Sequence, residues 1–368
     1  MSNLSRQSIN IILANQSESG AYLASPTFPA YRYSWFRDGA FIAYAMDLVG
    51  KHESARRFHD WAAHTVLRHS EKAERAIERA QRGKPLGDDY LHTRYTVDGH
   101  KVTDDWPNFQ LDGFGAWLWA LAEHLRLTES SLPSHWQQAA HLSGSYLAAL
   151  WPYPCFDLWE EHPDKVHPYT LAAVYAGLQA IGELTGDTGW LATADEIHRF
   201  MLEHGVRGGH LVKYVGSEAT DASLVGVATP YRLLAPDDPI MRATVARIEA
   251  DLRHQSGGVH RYADDTYYGG GEWVLLAAWL GWYYVEIGEQ ARARELLAWV
   301  EAQADEEGNL PEQMPQTLND PSMLQPWVEK WGPIASPLLW SHAMYLILLH
   351  ALRPTSIDHY NQRQIKIG

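Results

Sequence analysis

One cysteine, Cys155, stands in 368 residues, so no intrachain disulfide framework can hold this chain, and a lone thiol suits a reducing compartment. No apolar run approaches the roughly 20 residues that a membrane-spanning helix needs. Basic tracts are missing as well: 45 acidic side chains outweigh 30 Lys and Arg, a net charge of −15. Nucleic acid and anionic membrane surfaces, which need clustered cations, are therefore excluded as partners. The opening MSNLSRQSINIILANQ has neither a continuous apolar core nor a small-residue cleavage site, so no secretory signal is expected. Alternating patterns that would make strands are few. The expected object is a soluble, cytoplasmic and mostly helical protein.

What the chain does have is tryptophan, 16 of them, and helical periodicity. LDGFGAWLWALAEHLRL, PYTLAAVYAGLQAIGEL, WVLLAAWLGWYYVEIG and SPLLWSHAMYLILLHAL are apolar around most of their circumference, as buried helices are. HESARRFHDWAAHTVLRHSEKAERAIERA and QARARELLAWVEAQADEE carry one apolar stripe and a charged back. The two kinds alternate across short breaks, with Gly50, Gly186 and Gly288 as C-terminal stops. An apolar helix inside and its amphipathic successor outside, repeated about six times, predicts a closed (α/α)6 barrel. The count is about twelve helices, the first near 4–17 and the last over 337–352, in one domain spanning 1–368. A straight solenoid would expose an apolar face at each end, and no capping segment is evident.

The segments that enter the buried helices differ from those that leave them. AYRYSWFRDGA, TDDWPNFQLDGFG, PYPCFDLWEEHPDKVHPYT, LVKYVGSEATDASLVG, HRYADDTYYGGGEW and the long stretch from NLPEQM to LLWSHA are rich in aromatic, acidic, Gly and Pro residues. In a ring of hairpins all six would meet at one rim, and loops on a rigid scaffold are where function concentrates. Their chemistry is limited. Ser341 and His342 are adjacent on a helix, about 100° apart, with no strained turn around the serine. None of the 19 histidines forms an HxxxH pair on a rim segment, so no catalytic metal is expected. GGGEW lacks the Lys-Ser/Thr that follows a phosphate-binding loop.

Aromatic platforms, planar hydrogen-bonding groups and carboxyls remain, and that combination suits a sugar. Cleaving a glycosidic bond takes two carboxyls, one to protonate the leaving oxygen and one on the opposite face. FDLWEEH puts Glu160 and Glu161 beside Trp159, and an apolar wall raises a carboxyl's proton affinity. Glu312 in LPEQM, taken alone as easily a solvated or capping glutamate, is the best partner.

These segments resemble glycoside hydrolase family 15, the glucoamylase family. YSWFRDGA, NFQLDGFG, DLWEE, RYADDTYYGGGEW, and PEQ followed by LLWSHA come in the family's order from residue 31 to about 345. The resemblance implies an (α/α)6 catalytic barrel and an inverting exo-glucosidase that needs no cofactor. It makes Glu160 the general acid, Glu161 a neighbour that sets its environment and Glu312 an ionised general base. It further implies that Arg37 and Asp38 grip the terminal glucose, that Tyr31 and Trp35 line the same subsite, and that Trp106 and Trp159 flank the acid. Arg261, Asp264 and Trp273 fall near the entry and leaving-group side, and Trp340 beside the base.

Neither the β-sandwich that many prokaryotic members carry ahead of the barrel nor a starch-binding module is expected from this sequence. Short α-gluco-oligosaccharides are the expected substrates, α-1,6-linked ahead of α-1,4-linked, with trehalose as the runner-up. Trp327 and Trp331 could restrict substrate length. A non-catalytic sugar-sensing domain is the alternative from another class. It would have no need of Glu312.

Overall fold

A helix that is apolar all round leaves no face for water and must be covered on every side. The computed structural model describes residues 2–353 and meets that demand with a ring inside a ring. Its helices are α1 (Asn3–Ala14), α2 (Phe36–Leu48), α3 (His52–Arg68), α4 (Ser70–Gln81), α5 (Asp112–Thr128), α6 (Ser134–Leu150) and α7 (Pro168–Thr185). They continue with α8 (Thr188–His204), α9 (Pro239–Leu252), α10 (Val274–Glu286), α11 (Gln290–Glu301), α12 (Leu324–Trp331) and α13 (Leu339–Ala351). Around the inside α2 packs on α5 and α5 on α7. The ring then runs through a 3-10 turn, Ala222–Val227, to α10 and α13, and α13 returns to α2. Outside lie α3, α6, α8, α9 and α11, each against the inner element that precedes or adjoins it. Helix α1 is the outer partner of α13, so the two ends of the described chain close the (α/α)6 barrel.

Small residues let the inner backbones approach. A Cβ on Gly115 of α5 would come within 2.2 Å of the Ala173 carbonyl oxygen of α7, and one on Gly177 within 2.8 Å of Gly115 Cα. At the far end Gly186 closes α7 at φ +74°, a conformation costly for other residues.

The expected helix count needs three corrections. The surface stretch expected as one helix breaks at His69, which ends α3 and starts α4 and holds the Gly99 carbonyl at 3.0 Å. Helix α12 is an extra two-turn helix inside the last entering segment. The fourth inner position is only the 3-10 turn. Gly226 there lies under Tyr169 and Trp279, and Pro230 soon after cannot continue a helix. The boundary expectations 4–17 and 337–352 shorten to Asn3–Ala14 and Leu339–Ala351. No described helix is long and apolar enough to cross a membrane.

Short antiparallel pairs tie the rim segments together: Ser34–Trp35 with Arg94–Tyr95, and Glu272–Trp273 with Gln313–Met314. A third, Val206–Arg207 with His210–Leu211, leads into the fourth segment.

Candidate active site

The rim segments enclose a cavity of about 320 Å³. Five of the six expected segments line it, and the fourth braces it from behind. Asp221 of that fourth segment accepts the Trp159 indole N–H at 2.9 Å, and Lys213 pairs with Asp221 at 3.0 Å.

Helix α2 begins at the cavity floor. Arg37 donates to Gln110 at 2.8 Å and to Asp112 at 3.1 Å, with Asp38 3.5 Å away. Burial works against its charge, and Asp112 and Asp38 more than offset that, so the guanidinium stays protonated. Burial pushes Asp38 up to about 6, opposed by Arg37. Asp38 Oδ2 faces Arg37 Nε but makes no hydrogen bond among the described residues, an acceptor left for a ligand's hydroxyl.

Glu160 sits at φ +68° on a turn tied by Asp157, whose Oδ1 accepts the backbone N–H groups of Trp159 and Glu161, each at 2.9 Å. A non-glycine residue held left-handed costs about 1–3 kcal/mol and persists where its surroundings over-determine it. The surroundings here are explicit. Oε1 of Glu160 accepts from Trp35 at 2.8 Å, Trp106 at 2.9 Å and Gln110 at 3.2 Å. Three donors on Oε1 leave Oε2 as the atom that can carry a proton. Sequence adjacency misled in one respect, because Trp159 turns its N–H to Asp221, and the indoles on Glu160 come from other segments. Arg94, fully buried, stacks 3.7 Å from the Trp106 ring and holds Asp104 at 2.6 Å.

On the sixth segment Glu312 is 2% exposed. Its N–H donates to Ala335 at 2.9 Å and its carbonyl accepts from Val274 at 3.2 Å, so the loop is pinned on both sides. The Ser341 hydroxyl donates to the Pro311 carbonyl at 2.8 Å, just before it. His342 serves elsewhere, between Ser8 at 2.9 Å and the Leu310 N–H at 3.0 Å, so the adjacent Ser–His pair makes no nucleophile. Tyr31 donates to Glu312 Oε1 at 3.0 Å, and Oε2 is buried without a partner. Burial pushes Glu312 up to about 8, while the Tyr31 hydroxyl and the Arg261 charge pull it down. An ionised Glu312 was expected from the sequence, and desolvation opposes that state.

Glu161 accepts from the Tyr262 hydroxyl and faces Arg261 at 3.5 Å. Arg261 lies among Trp159, Trp273 and Tyr267, about 5.1–5.3 Å from their ring centres. Of the residues expected at the site, Tyr31, Trp35, Arg37, Asp38, Trp106, Trp159, Glu160, Glu161, Arg261, Trp273, Glu312 and Trp340 all line the cavity. Asp264 does not. Its side chain is exposed, and the buried Asp265 is the one that holds Arg261, at 2.7 Å from Nε. The four-residue step from Arg261 to Asp265 was the only clue in the sequence. Gln110, Asp112, Arg94 and Tyr267 were also missed; the first two lie inside the quoted NFQLDGFG.

In the ring order Glu160 precedes the third inner element and Glu312 the sixth, so the two acids approach one aromatic cavity from opposite sides. A helical barrel with such a cleft is built as glycoside hydrolases are. Residues 2–309 match the model of Glycosyl hydrolases family 15. The chain is 42% identical to the isomaltose glucohydrolase of Kribbella flavida, over 95% of this chain and 92% of that protein. It is 28% identical to a trehalase of Mycolicibacterium smegmatis, over 80% of this chain and 48% of that one. A wild-type glycosidase structure superposes with a TM-score of 0.92 at 41% identity, covering 95% of this chain and 96% of that one. A bacterial glucoamylase complexed with acarbose shares the fold, with a TM-score of 0.73 at 21% identity over 95% of this chain and 55% of its own. The chain belongs to glycosyl hydrolase family 15 and is a glycoside hydrolase. Glu312 lies three residues beyond the matched span, within the reach of the longer alignments' 95% coverage.

Proposed function

We propose that the chain is one catalytic domain, an inverting exo-α-glucosidase that removes β-D-glucose from the non-reducing end of short α-gluco-oligosaccharides, isomaltose-type α-1,6 substrates first. Glu160 Oε2 gives its proton to the glycosidic oxygen as the bond to the anomeric carbon breaks. Ionised Glu312 takes a proton from a water that attacks that carbon from the opposite face. Arg37 and Asp38 hold hydroxyls of the terminal glucose at the closed end of the cavity, and a closed end makes the enzyme exo-acting. The observation that carries this is the placement of the two acids: Glu160, from the third entering segment, and Glu312, from the sixth, line one aromatic cavity from opposite sides of the ring.

Short substrates are supported by volume. About 320 Å³ is the low end for a small-molecule site, and Trp327, Lys330 and Trp331 of α12 crowd the cavity. The α-1,6 preference rests on the relative named isomaltose glucohydrolase, at 42% identity over nearly the whole chain, against 28% for the named trehalase. A sugar sensor would gain nothing from a buried Glu312. We further propose a cytoplasmic location, for which the lone thiol Cys155 is the support.

Proton NMR of the first product from isomaltose, maltose and trehalose tests the reading. β-Glucose should appear before mutarotation, fastest from isomaltose. Early α-glucose, or a trapped glucosyl-enzyme, would sink the base role of Glu312. Glu160→Gln should lose most activity on isomaltose and far less on a glucosyl fluoride, whose leaving group needs little protonation. Equal losses would count against Glu160 as the acid.

A further inference from the structure

A second cluster of reactive side chains lies at the other end of the barrel. Asp47 is ten residues beyond Arg37 along α2, roughly 15 Å at 1.5 Å per residue, so the cluster is separate from the sugar cavity. His59 comes from α3 and His124 from α5, and one donor atom of each of the three residues lies within 4.8 Å of the others. His124 Nδ1 sits 2.9 Å from Asp47 Oδ2. On the outer side His52 Nδ1 sits 2.9 Å from Asp47 Oδ1, with its side chain 46% exposed. His52 and His59 are seven residues apart on α3, two turns, and so share a face.

Two features set this cluster apart from an ordinary hydrogen-bonded core. Among the described residues Asp47 has no Lys or Arg partner; its ion-pair neighbours are only His52 and His124. A buried carboxylate normally keeps a counter-cation. Then there is His59, 0% exposed, with both ring nitrogens buried and neither hydrogen-bonded. A neutral imidazole carries one donor and one acceptor, and leaving both unmade in a core is unfavourable. Its ring neighbours, Phe58, His124 and Trp136, are aromatic and supply no acceptor to those nitrogens.

We propose that Asp47, His59 and His124 bind one divalent transition-metal ion of the zinc class, with His52 at the solvent side as a fourth ligand or as the gate through which the ion enters. Two imidazoles and a carboxylate are the donor set such ions prefer, whereas calcium and magnesium take oxygen ligands. Tetrahedral zinc with bonds of about 2.0–2.1 Å puts its ligand atoms about 3.3 Å apart, so the cluster would tighten on binding. His59 has no hydrogen bond to break in turning. The ion would join three helices, α2, α3 and α5, at the closed end of the barrel, a structural role distinct from sugar cleavage. The HxxxH pattern fails to find it because the ligands come from three separate helices.

The test uses the full chain, stripped with a chelator and titrated with Zn²⁺ by calorimetry and with Co²⁺ by absorbance. One equivalent should bind, with the intense visible bands of four-coordinate Co²⁺ and a higher melting temperature. His59→Phe fills the same space without a ligand atom. It should weaken Zn²⁺ binding at least about 100-fold and abolish the Co²⁺ bands, while kcat on isomaltose stays at the wild-type level. If the stripped protein takes up no stoichiometric Zn²⁺ or Co²⁺, the site does not exist. If His59→Phe binds both ions as the wild type does, the ion belongs to other histidines and the assignment falls. Either result leaves the sugar-cleaving reading untouched, because that reading uses none of these residues.

Discussion

Tyr31 and Trp35 meet edge to face, ring centres 5.7 Å apart, and each donates to a different glutamate. The Tyr31 hydroxyl reaches Glu312 at 3.0 Å and the Trp35 indole reaches Glu160 at 2.8 Å. Two residues four positions apart on one rim segment therefore couple the two acids, and the consequences can be measured.

Tyr31→Phe removes the only side-chain donor to Glu312 among the described residues, one that opposes the upward push of burial. Glu312 must be ionised to act as a base, so the acidic limb of kcat/KM against pH reports it. That limb should lie above the ordinary glutamate range in the wild type and move higher in the variant. At neutral pH the loss should be about tenfold, the scale of a hydrogen bond to a charged group. An unmoved acidic limb would separate Tyr31 from the base.

Glu312→Gln should abolish turnover and stabilise the fold at alkaline pH. The carboxyl ionises near 4.5 when unfolded and at about 8 when folded. Its favourable neutral state is fully present below 4.5 and is lost as pH rises through about 8. A glutamine has no such loss. Denaturant unfolding should show the variant ahead by on the order of 3–5 kcal/mol at pH 9 and level with wild type at pH 4. A constant difference at both pH values would contradict the shifted carboxyl.

Asp265→Asn and Asp264→Asn should part company. The first leaves the Arg261 guanidinium buried without its nearest carboxylate, which costs about 3–5 kcal/mol and should cut kcat/KM by two orders of magnitude. The second changes an exposed group and should stay within about 0.5 kcal/mol and leave turnover alone. Steady-state kinetics with circular dichroism as a check on folding decides it. A damaging Asp264 variant would restore the residue expected from the sequence.

Trp331→Ala tests the crowded entrance. Trp331 is 38% exposed and touches the edge of Trp106 at a ring distance of 6.4 Å. Removing it should raise kcat/KM for isomaltotriose relative to isomaltose by about tenfold, the range set by one apolar pocket contact. An unchanged ratio would place the length limit elsewhere.

Much of this protein is local and so can be read along the chain. Whether a helix is apolar all round or striped depends on residues within a few turns of each other, and that pattern already predicts the barrel and its rim. The tight DLWEE turn and the six unusual entering segments are local too. What the sequence alone could not settle are the pairings made when the ring closes. Glu160 takes its donors from residues 50, 54 and 125 positions away, and Tyr31 meets Glu312 across 281. Choosing Asp265 over its neighbour Asp264 depends on which side of one turn faces inward. At the fourth inner position, a 3-10 turn, Tyr169 and Trp279 of its neighbours leave no space for a Cβ on Gly226, a contact that exists only once the ring has closed. Desolvation of Glu312, too, is a property of everything packed around it, and no window of sequence contains that.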